Sequence, residues 1–311
     1  MAKHNAPRRG SLAFWPRKRA KSQLPRVLAW ASSPTPCILG FAGYKAGQTS
    51  VVIVDDTMRP TKGQEIVLNC TIVEAPPIVI YGIRAYRDGM VVCDEFTPDE
   101  KVILKLRQKL TSAKKIDENS ADEIFVLAFV EPAKTGIGKK HIERLQIAVG
   151  GNTAKAKLDY ARTLLGKELS ASEVFKPGEY CDAVAITRGK GWQGSVKRFG
   201  IAKQRRKATG RVRHLGNLGP WHPGYVTYTI PQAGQMGYHK RTDYNKRLLK
   251  IGKPDDVNKK SGFKNYGVLK NDYVLFEGTL PGPVKRLVRF RKAIRKGEQK
   301  PKPPNVVQIV K

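Results

Sequence analysis

From Cys37 onward the chain breaks into short β-branched runs, each bounded by glycine, proline or aspartate. Cys37-Ile-Leu-Gly-Phe, Ser50-Val-Val-Ile-Val, Glu65-Ile-Val-Leu-Asn-Cys-Thr-Ile-Val, Ile78-Val-Ile-Tyr-Gly-Ile-Arg-Ala-Tyr and Met90-Val-Val-Cys all have this form. Such residues suit a pleated, half-buried surface, and turn signals such as Arg87-Asp88-Gly89 supply the reversals. Short strands at this spacing predict a small antiparallel barrel whose first part covers residues 37–97. The pattern then changes. Thr97-Pro98-Asp99-Glu100 reads as a capping box with proline at the first helical position, predicting a helix through about Leu110. Ile124–Glu131 and Arg144–Val149 read as two more strands. Asn152–Leu165 reads as a helix, with Ala154, Leu158, Ala161 and Leu165 on one face and Gly166 as its C-cap. Residues 98–179 are therefore predicted to be an α/β insertion.

Glu179–Thr187 returns to a strand pattern, placing a barrel strand over 180–188. Lys246–Ile251, Tyr273–Phe276 and Val284–Phe290 predict the closing strands over 246–290. If the strand at 180–188 pairs with the one at 246, residues 189–245 form a single long excursion with its midpoint near residue 218, beside Trp221. Each arm has a reach of up to roughly 100 Å if fully extended. Residues 1–36 and 291–311 carry no apolar period and read as an N-terminal extension and a C-terminal tail. The fold class expected is mainly β, an antiparallel β-barrel with an α/β insertion and long irregular basic extensions.

Charge sharpens this division. The net charge of +32 is unevenly spread: residues 55–182 hold 19 Lys+Arg and 20 Asp+Glu, while the rest of the chain holds 39 bases and 6 acids. Residues 1–54 have nine bases and no acid, 183–250 have fifteen against one, and 285–311 have ten against one. Between Asp182 and Asp243 lie sixty residues without a carboxylate, containing ten glycines and six aromatics. Excluding acids in this way suits a polyanionic partner, because each misplaced carboxylate would repel a phosphate. A neutral body with three basic arms therefore points to nucleic acid. The absence of a helical or zinc-finger reading module favours irregular RNA over duplex DNA.

The candidate contacts follow from residue type. Arg8, Arg9, Arg17, Lys18 and Arg19 in the N-terminal extension, and Lys190, Lys197, Arg198, Lys203, Arg205, Arg206, Lys207, Arg211, Arg213, Lys240 and Arg241 in the excursion, can bind phosphates. Trp15, Trp30, Trp192 and Tyr238 can stack on bases, and His214 and His239 can hydrogen-bond. Trp221, His222 and Pro223 sit at the predicted apex. They read either as a rigid tip set against RNA or as a tryptophan folded back to pin a turn. Free in solution, the acid-poor arms are expected to be disordered.

Catalysis finds little support. The spacings of His214, His222 and His239 match no metal motif, and no nearby acid could orient a histidine as a base. Gly136-Ile-Gly-Lys-Lys lacks the spacing of a phosphate loop. Cys37, Cys70, Cys93 and Cys181 contain no Cys-x-x-Cys pair, and most sit in strand-like sequence where thiols pack as small hydrophobes. No cofactor is expected. The longest apolar run, Ile124 to Val130, is too short to span a bilayer, and no apolar core follows the N-terminal bases. A soluble cytoplasmic chain without membrane contact is expected.

Gly189-Lys-Gly-Trp-Gln-Gly-Ser-Val-Lys-Arg-Phe-Gly, and Gly219-Pro-Trp-His-Pro-Gly through Ala233-Gly-Gln-Met-Gly-Tyr-His-Lys-Arg-Thr, resemble the large-subunit ribosomal protein L three family in its long archaeal and eukaryotic form. Pro7-Arg-Arg-Gly-Ser-Leu and Leu280-Pro-Gly-Pro-Val-Lys-Arg-Leu-Val extend the resemblance over nearly the whole chain. The resemblance implies a translation-protein-type barrel, with the central extension and N-terminal tail penetrating large-subunit rRNA. It further implies that the tip at Trp221, His222 and Pro223 reaches toward the peptidyl transferase centre. It also implies a role early in subunit assembly, with neighbouring large-subunit proteins as partners and no homo-oligomer. Some eukaryotic relatives have a modifiable histidine where this chain has Thr209, so that feature of the family does not carry over. A transient RNA chaperone or assembly factor would be the competing reading; an RNA-modifying enzyme would need a cofactor cradle that the sequence lacks.

Overall fold

The computed structural model describes residues 7–107, 115–117, 121–208, 210–295 and 302–310. Among them are fifteen strands. They are β1 (Cys37–Ile38), β2 (Gly40–Val54), β3 (Glu65–Glu74), β4 (Ile78–Arg87), β5 (Met90–Phe96), β6 (Glu123–Val130), β7 (Glu143–Gly150), β8 (Glu168–Leu169), β9 (Tyr180–Ile186), β10 (Trp192–Gln193), β11 (Gly234–Gln235), β12 (Lys240–Gly252), β13 (Tyr273–Glu277), β14 (Leu287–Lys292) and β15 (Val306–Ile309). Four α-helices accompany them: α1 (Glu100–Leu106), α2 (Ala154–Thr163), α3 (Ala171–Val174) and α4 (Ser195–Phe199). The chain divides into two units, residues 23–185 with 241–311, and residues 1–22 with 186–240.

The larger unit holds two antiparallel sheets. In the first, the strand order is β14-β9-β12-β13-β3-β2-β15, and β14 also pairs with β2. That extra ladder, from Leu287 opposite Tyr44 to Arg291 opposite Gly40, joins β14 to β2 so that six strands follow one another in a ring with β15 outside it. The fifteen-residue β2 can serve three neighbours because it bends at a bulge between Lys45 and Gly47. The second sheet runs β1-β7-β6-β4-β5, with β8 beside β4.

β4 and β5 lie in this second sheet, although the 37–97 boundary assigned them to the first part of the barrel. The cause is local. Pro76 and Pro77 follow β3 and offer no N–H donors, so the ladder with β13 ends there and the chain crosses between sheets. Ile78–Ile83 is buried on both faces, as a central strand requires, and such a run does not reveal which sheet it joins. The C-terminal tail also departs from expectation. Val306–Ile309 pairs with Val51–Ile53 as an edge strand, and Thr49 Oγ1 donates to Val310 O at 2.5 Å.

The helices form near their predicted positions. α1 begins two residues later than the capping box suggested: Asp99, not Thr97, is the N-cap, accepting from Lys101 N at 3.0 Å, while Thr97 Oγ1 accepts from Asp99 N. A carboxylate here also meets the positive end of the helix dipole. α1 ends at Arg107 in the left-handed region (φ 51°), and residues 108–110 of the expected helix lie outside the described residues. Thr153 caps α2 by accepting from Ala156 N, and Gly166 beyond it has φ 80°.

One apolar core serves both sheets. Tyr44, Ile72, Tyr273 and Phe276 from the first meet Ile78, Ile80, Ile83 and Ile124 from the second, with Leu158 of α2 against them. The core includes polar ties. Tyr44 on β2 donates to Glu143 on β7 at 2.6 Å. The fully buried Glu74 accepts from the Tyr266 hydroxyl, from Lys270 N and Asn271 N, and from Asn271 Nδ2. Burial first, and the facing carboxylate second, push both phenols well above the ordinary tyrosine range, so these hydroxyls remain donors at any physiological pH. Cys70 and Cys181 are buried free thiols, as strand packing predicts.

Asp182 on β9 is fully buried and accepts from Arg291 Nε on β14 at 3.1 Å, from Asn245 N on β12 at 3.0 Å and from Ile294 N. Removing one partner of a buried pair leaves a stranded charge, typically at about 3–5 kcal/mol. Asp182→Ala is therefore expected to lower unfolding free energy by about that amount. A urea titration of the purified chain checks this, and a loss below about 1 kcal/mol, the scale of an exposed pair, would contradict it.

Candidate nucleic-acid interface

The smaller unit combines the N-terminal segment with most of the acid-free stretch, and carries few regular elements. Its framework is a two-residue ribbon: β10 pairs with β11, flanked by Lys190 N to Met236 O and Met236 N to Gly191 O at 3.0 and 2.9 Å. Gly237 (φ 71°) lies so close to Arg188 O that a Cβ would collide with it, and no side chain is tolerated there. α4 ends at Gly200 in the left-handed conformation, whose N–H returns to Val196 O.

The N-terminal segment is knitted into this framework. Trp15 stacks on Phe199 (5.8 Å, 18°) and meets Tyr228 edge-on at 5.9 Å. The Arg17 guanidinium lies 4.3 Å from the Phe199 ring centroid and donates to Arg198 O. Ala20 N donates to Tyr238 O at 2.9 Å, and Arg19 covers the Tyr238 ring at 5.5 Å. Arg8 and Arg9 donate to Thr229 O and Gly200 O. Arg198 donates to Gln235 O and Gln232 O, and His239 is buried with Nδ1 2.9 Å from Lys18 O. Burial pulls the Arg17 and Arg198 guanidinium pKa values below their usual value.

These contacts revise part of the expected interface. Trp15, Arg17, Arg198, Tyr238 and His239 do internal work, and the partner that orders the N-terminal aromatics is the chain's own stretch 198–239. Trp30 belongs to the larger unit, where its ring packs over Gly40 and faces Arg289. The sequence signal was ambiguous here, because a tryptophan amid bases looks the same whether its platform is a base or a phenylalanine.

The rest of the expected set faces solvent. Lys18, Arg19, Lys190, Lys197, Lys203, Arg205, Arg206, Lys207, Arg211, Arg213, His214, His222, Pro223 and Lys240 are exposed, as are Arg8 and Arg9; Arg241 is half-buried. Trp192 is 76% exposed and Trp221 86% exposed. The indole is thus not folded back to pin a turn. Tyr225 (71%), Leu218 and Val226, within five residues of it in sequence, are exposed too. Tyr225 was missing from the expected contacts, yet its place four residues after Trp221 in the acid-free run could have found it. Thr209 lies outside the described residues. Local hydrogen bonds in this part are sparse, such as Gln204 N to Val212 O and Gly219 N to Asn217 Oδ1. Among the described residues no group of three or more His, Cys, Asp or Glu is placed to hold a metal.

Chemically, this is a surface of exposed cations and upturned aromatic faces with no competing carboxylate in its sequence. It can neutralise phosphates and stack on unpaired bases. Comparison with known proteins agrees in kind. The model of the family described as ribosomal protein L3 matches residues 1–98 and 95–309. The large ribosomal subunit protein uL3 of Archaeoglobus fulgidus is 46% identical, with 94% of this chain and 93% of that protein covered. Those of Methanosphaerula palustris and Methanothermobacter thermautotrophicus are each 43% identical, covering 98% and 99% of this chain and 97% and 98% of theirs.

Replacing Lys203, Arg205, Arg206 and Lys207 together by alanine should weaken RNA binding and flatten its salt dependence. The slope of log K against log salt should fall by roughly 0.7 for each single-strand phosphate that is no longer neutralised. Filter binding across a salt series reads this directly, and an unchanged slope would remove these side chains from the interface.

Proposed function

This chain belongs to the ribosomal protein L3 family, and on that premise we propose that it binds and organises large-subunit rRNA, with its acid-free segment reaching toward the peptidyl transferase centre. Family membership makes it a structural constituent of the large ribosomal subunit, in cytoplasmic ribosomes, and places it outside the enzyme families. On this reading the ring of six strands is the barrel shared with translation proteins, with neighbouring large-subunit proteins and 23S-type rRNA as its partners. The role begins early in subunit assembly.

The observation that carries the proposal is the state of Trp221. Its indole stands in water, 86% exposed, near the middle of sixty residues without a carboxylate. An exposed aromatic at the end of a cationic segment gains most where bases are available to stack, at about 1–3 kcal/mol per base. The flanking bases Arg211 and Arg213 can neutralise the phosphates that accompany such bases.

Trp221→Ala should leave the protein at one copy per large subunit but change the rate of tRNA accommodation, or the response to antibiotics that act at the peptidyl transferase centre, severalfold. Quantitative mass spectrometry of purified subunits and single-turnover accommodation kinetics read the two parts. Failure of the variant to enter subunits would instead assign the indole to assembly and contradict its placement at the tip.

A further inference from the structure

The block 55–182 is electrically neutral in sequence, with 19 bases and 20 acids, yet five of those bases line two hollows on one face together with Arg26 and Arg289. Along β6 the side chains alternate: Ile124, Val126 and Ala128 enter the main core, while Leu127 and Phe129 enter a smaller cluster with Tyr81, Val102 and Leu106. On this second face lie two hollows, of ≈ 810 and ≈ 560 Å³, which share Leu24 and Arg144 as lining. Together their lining includes seven Lys or Arg side chains and two carboxylates, Glu123 and Glu131. Glu131 is paired with Lys105 at 2.8 Å and Arg84 with Asp94 at 2.6 Å, so two of the seven cations are already neutralised and the balance of charge in the hollows stays positive.

Below this face sits Arg289, only 7% exposed, at the edge of the smaller hollow. Its hydrogen-bond acceptors among the described residues are the carbonyls of Pro25 and Gln146. Burial brings its pKa down only to about 10, so it stays charged. A cation compensated by carbonyl dipoles leaves positive potential in the hollow above it. The smaller hollow also has an aromatic wall, Tyr86 against Phe125 at 5.1 Å and 72°, with the Tyr86 hydroxyl held by Gln146 Nε2. These groups sit on paired strands, so the site is formed before any ligand arrives.

We propose that this cleft on the second sheet binds a single-stranded segment of RNA, with a base against Tyr86 and Phe125 and phosphates on Arg26, Arg107 and Lys140. The inference rests on the rRNA-binding reading and adds to it a contact surface on the neutral body. An unpaired base fits better than a duplex, whose bases are stacked inside and whose regular backbone cannot enter a hollow of this size. The charge ratio favours RNA over a protein partner, whose surface would mix both signs.

Purified large subunits irradiated with ultraviolet light and digested should yield nucleotide adducts on peptides spanning Ile78–Arg87 or Glu123–Val130. In subunits carrying Arg107→Glu with Lys140→Glu, two exposed substitutions outside the core, adduct yield at these peptides should fall at least tenfold while adducts on the 190–228 stretch persist. Adducts confined to that stretch and the N-terminal tail would overturn the proposal. So would amine-reactive crosslinks joining Lys140 to another protein that covers the cleft. Absence of adducts anywhere on the chain would defeat the rRNA-binding reading itself, a distinct result.

Discussion

One buried carboxylate governs how the two ends of the acid-free segment are held. Strand β9 lies between β14 and β12, and Asp182 on it reaches both neighbours, through Arg291 on one side and the Asn245 amide on the other. Asp182 is also the last acid before the sixty-residue stretch begins. The chain leaves the ring of strands just after this residue and returns through β12. Closing a long loop carries an entropy that grows only slowly with its length. Here the closure is made by the body's own hydrogen bonds, so the excursion can be shaped for its partner without weakening the fold that carries it. The acid at its outgoing end is spent inside the protein, and Asp243 at its return is paired with Lys246 at 3.4 Å.

The same residue types serve two purposes in this chain, and burial separates them. Arg247, Arg289 and Arg291 are inside the body, bound respectively to Asp56, to backbone carbonyls and to Asp182. Arg205, Arg206, Arg211 and Arg213 stand in solvent. The tryptophans divide similarly: Trp15 and Trp30 pack on the chain itself, while Trp192 and Trp221 face outward. A guanidinium is always charged, so its destination depends on whether acceptors are fixed nearby. Composition counts both kinds together and therefore overstates the cationic surface of the chain.

Much of the architecture was legible because strand runs and helix caps are local signals. β2 to β4, β6, β7 and β9 appear where β-branched runs meet turn residues, and α2 runs inside its predicted span from the Thr153 cap. What local signals could not reveal was partnership. Nothing in Ile78–Tyr86 states that it joins β6 and β8 and not β3, because a strand buried on both faces fits either sheet. The edge strand at Val306–Ile309 was hidden by the basic residues around it. The docking of Trp15 on Phe199 spans 184 positions, beyond any pattern a local window can read. In the smaller unit, composition marked the acid-free stretch as cationic, and only geometry separated the exposed Trp221 from the buried His239.

The central claim, a neutral body that folds by itself and basic segments committed to rRNA, makes this chain a permanent part of the large subunit. Sucrose-gradient sedimentation of a cell lysate in high salt, probed for this protein, tests it most directly. The account predicts stoichiometric co-migration with the large subunit that survives the salt. Protein at the top of the gradient, or released as salt rises, would contradict it and favour a factor that binds RNA only in passing.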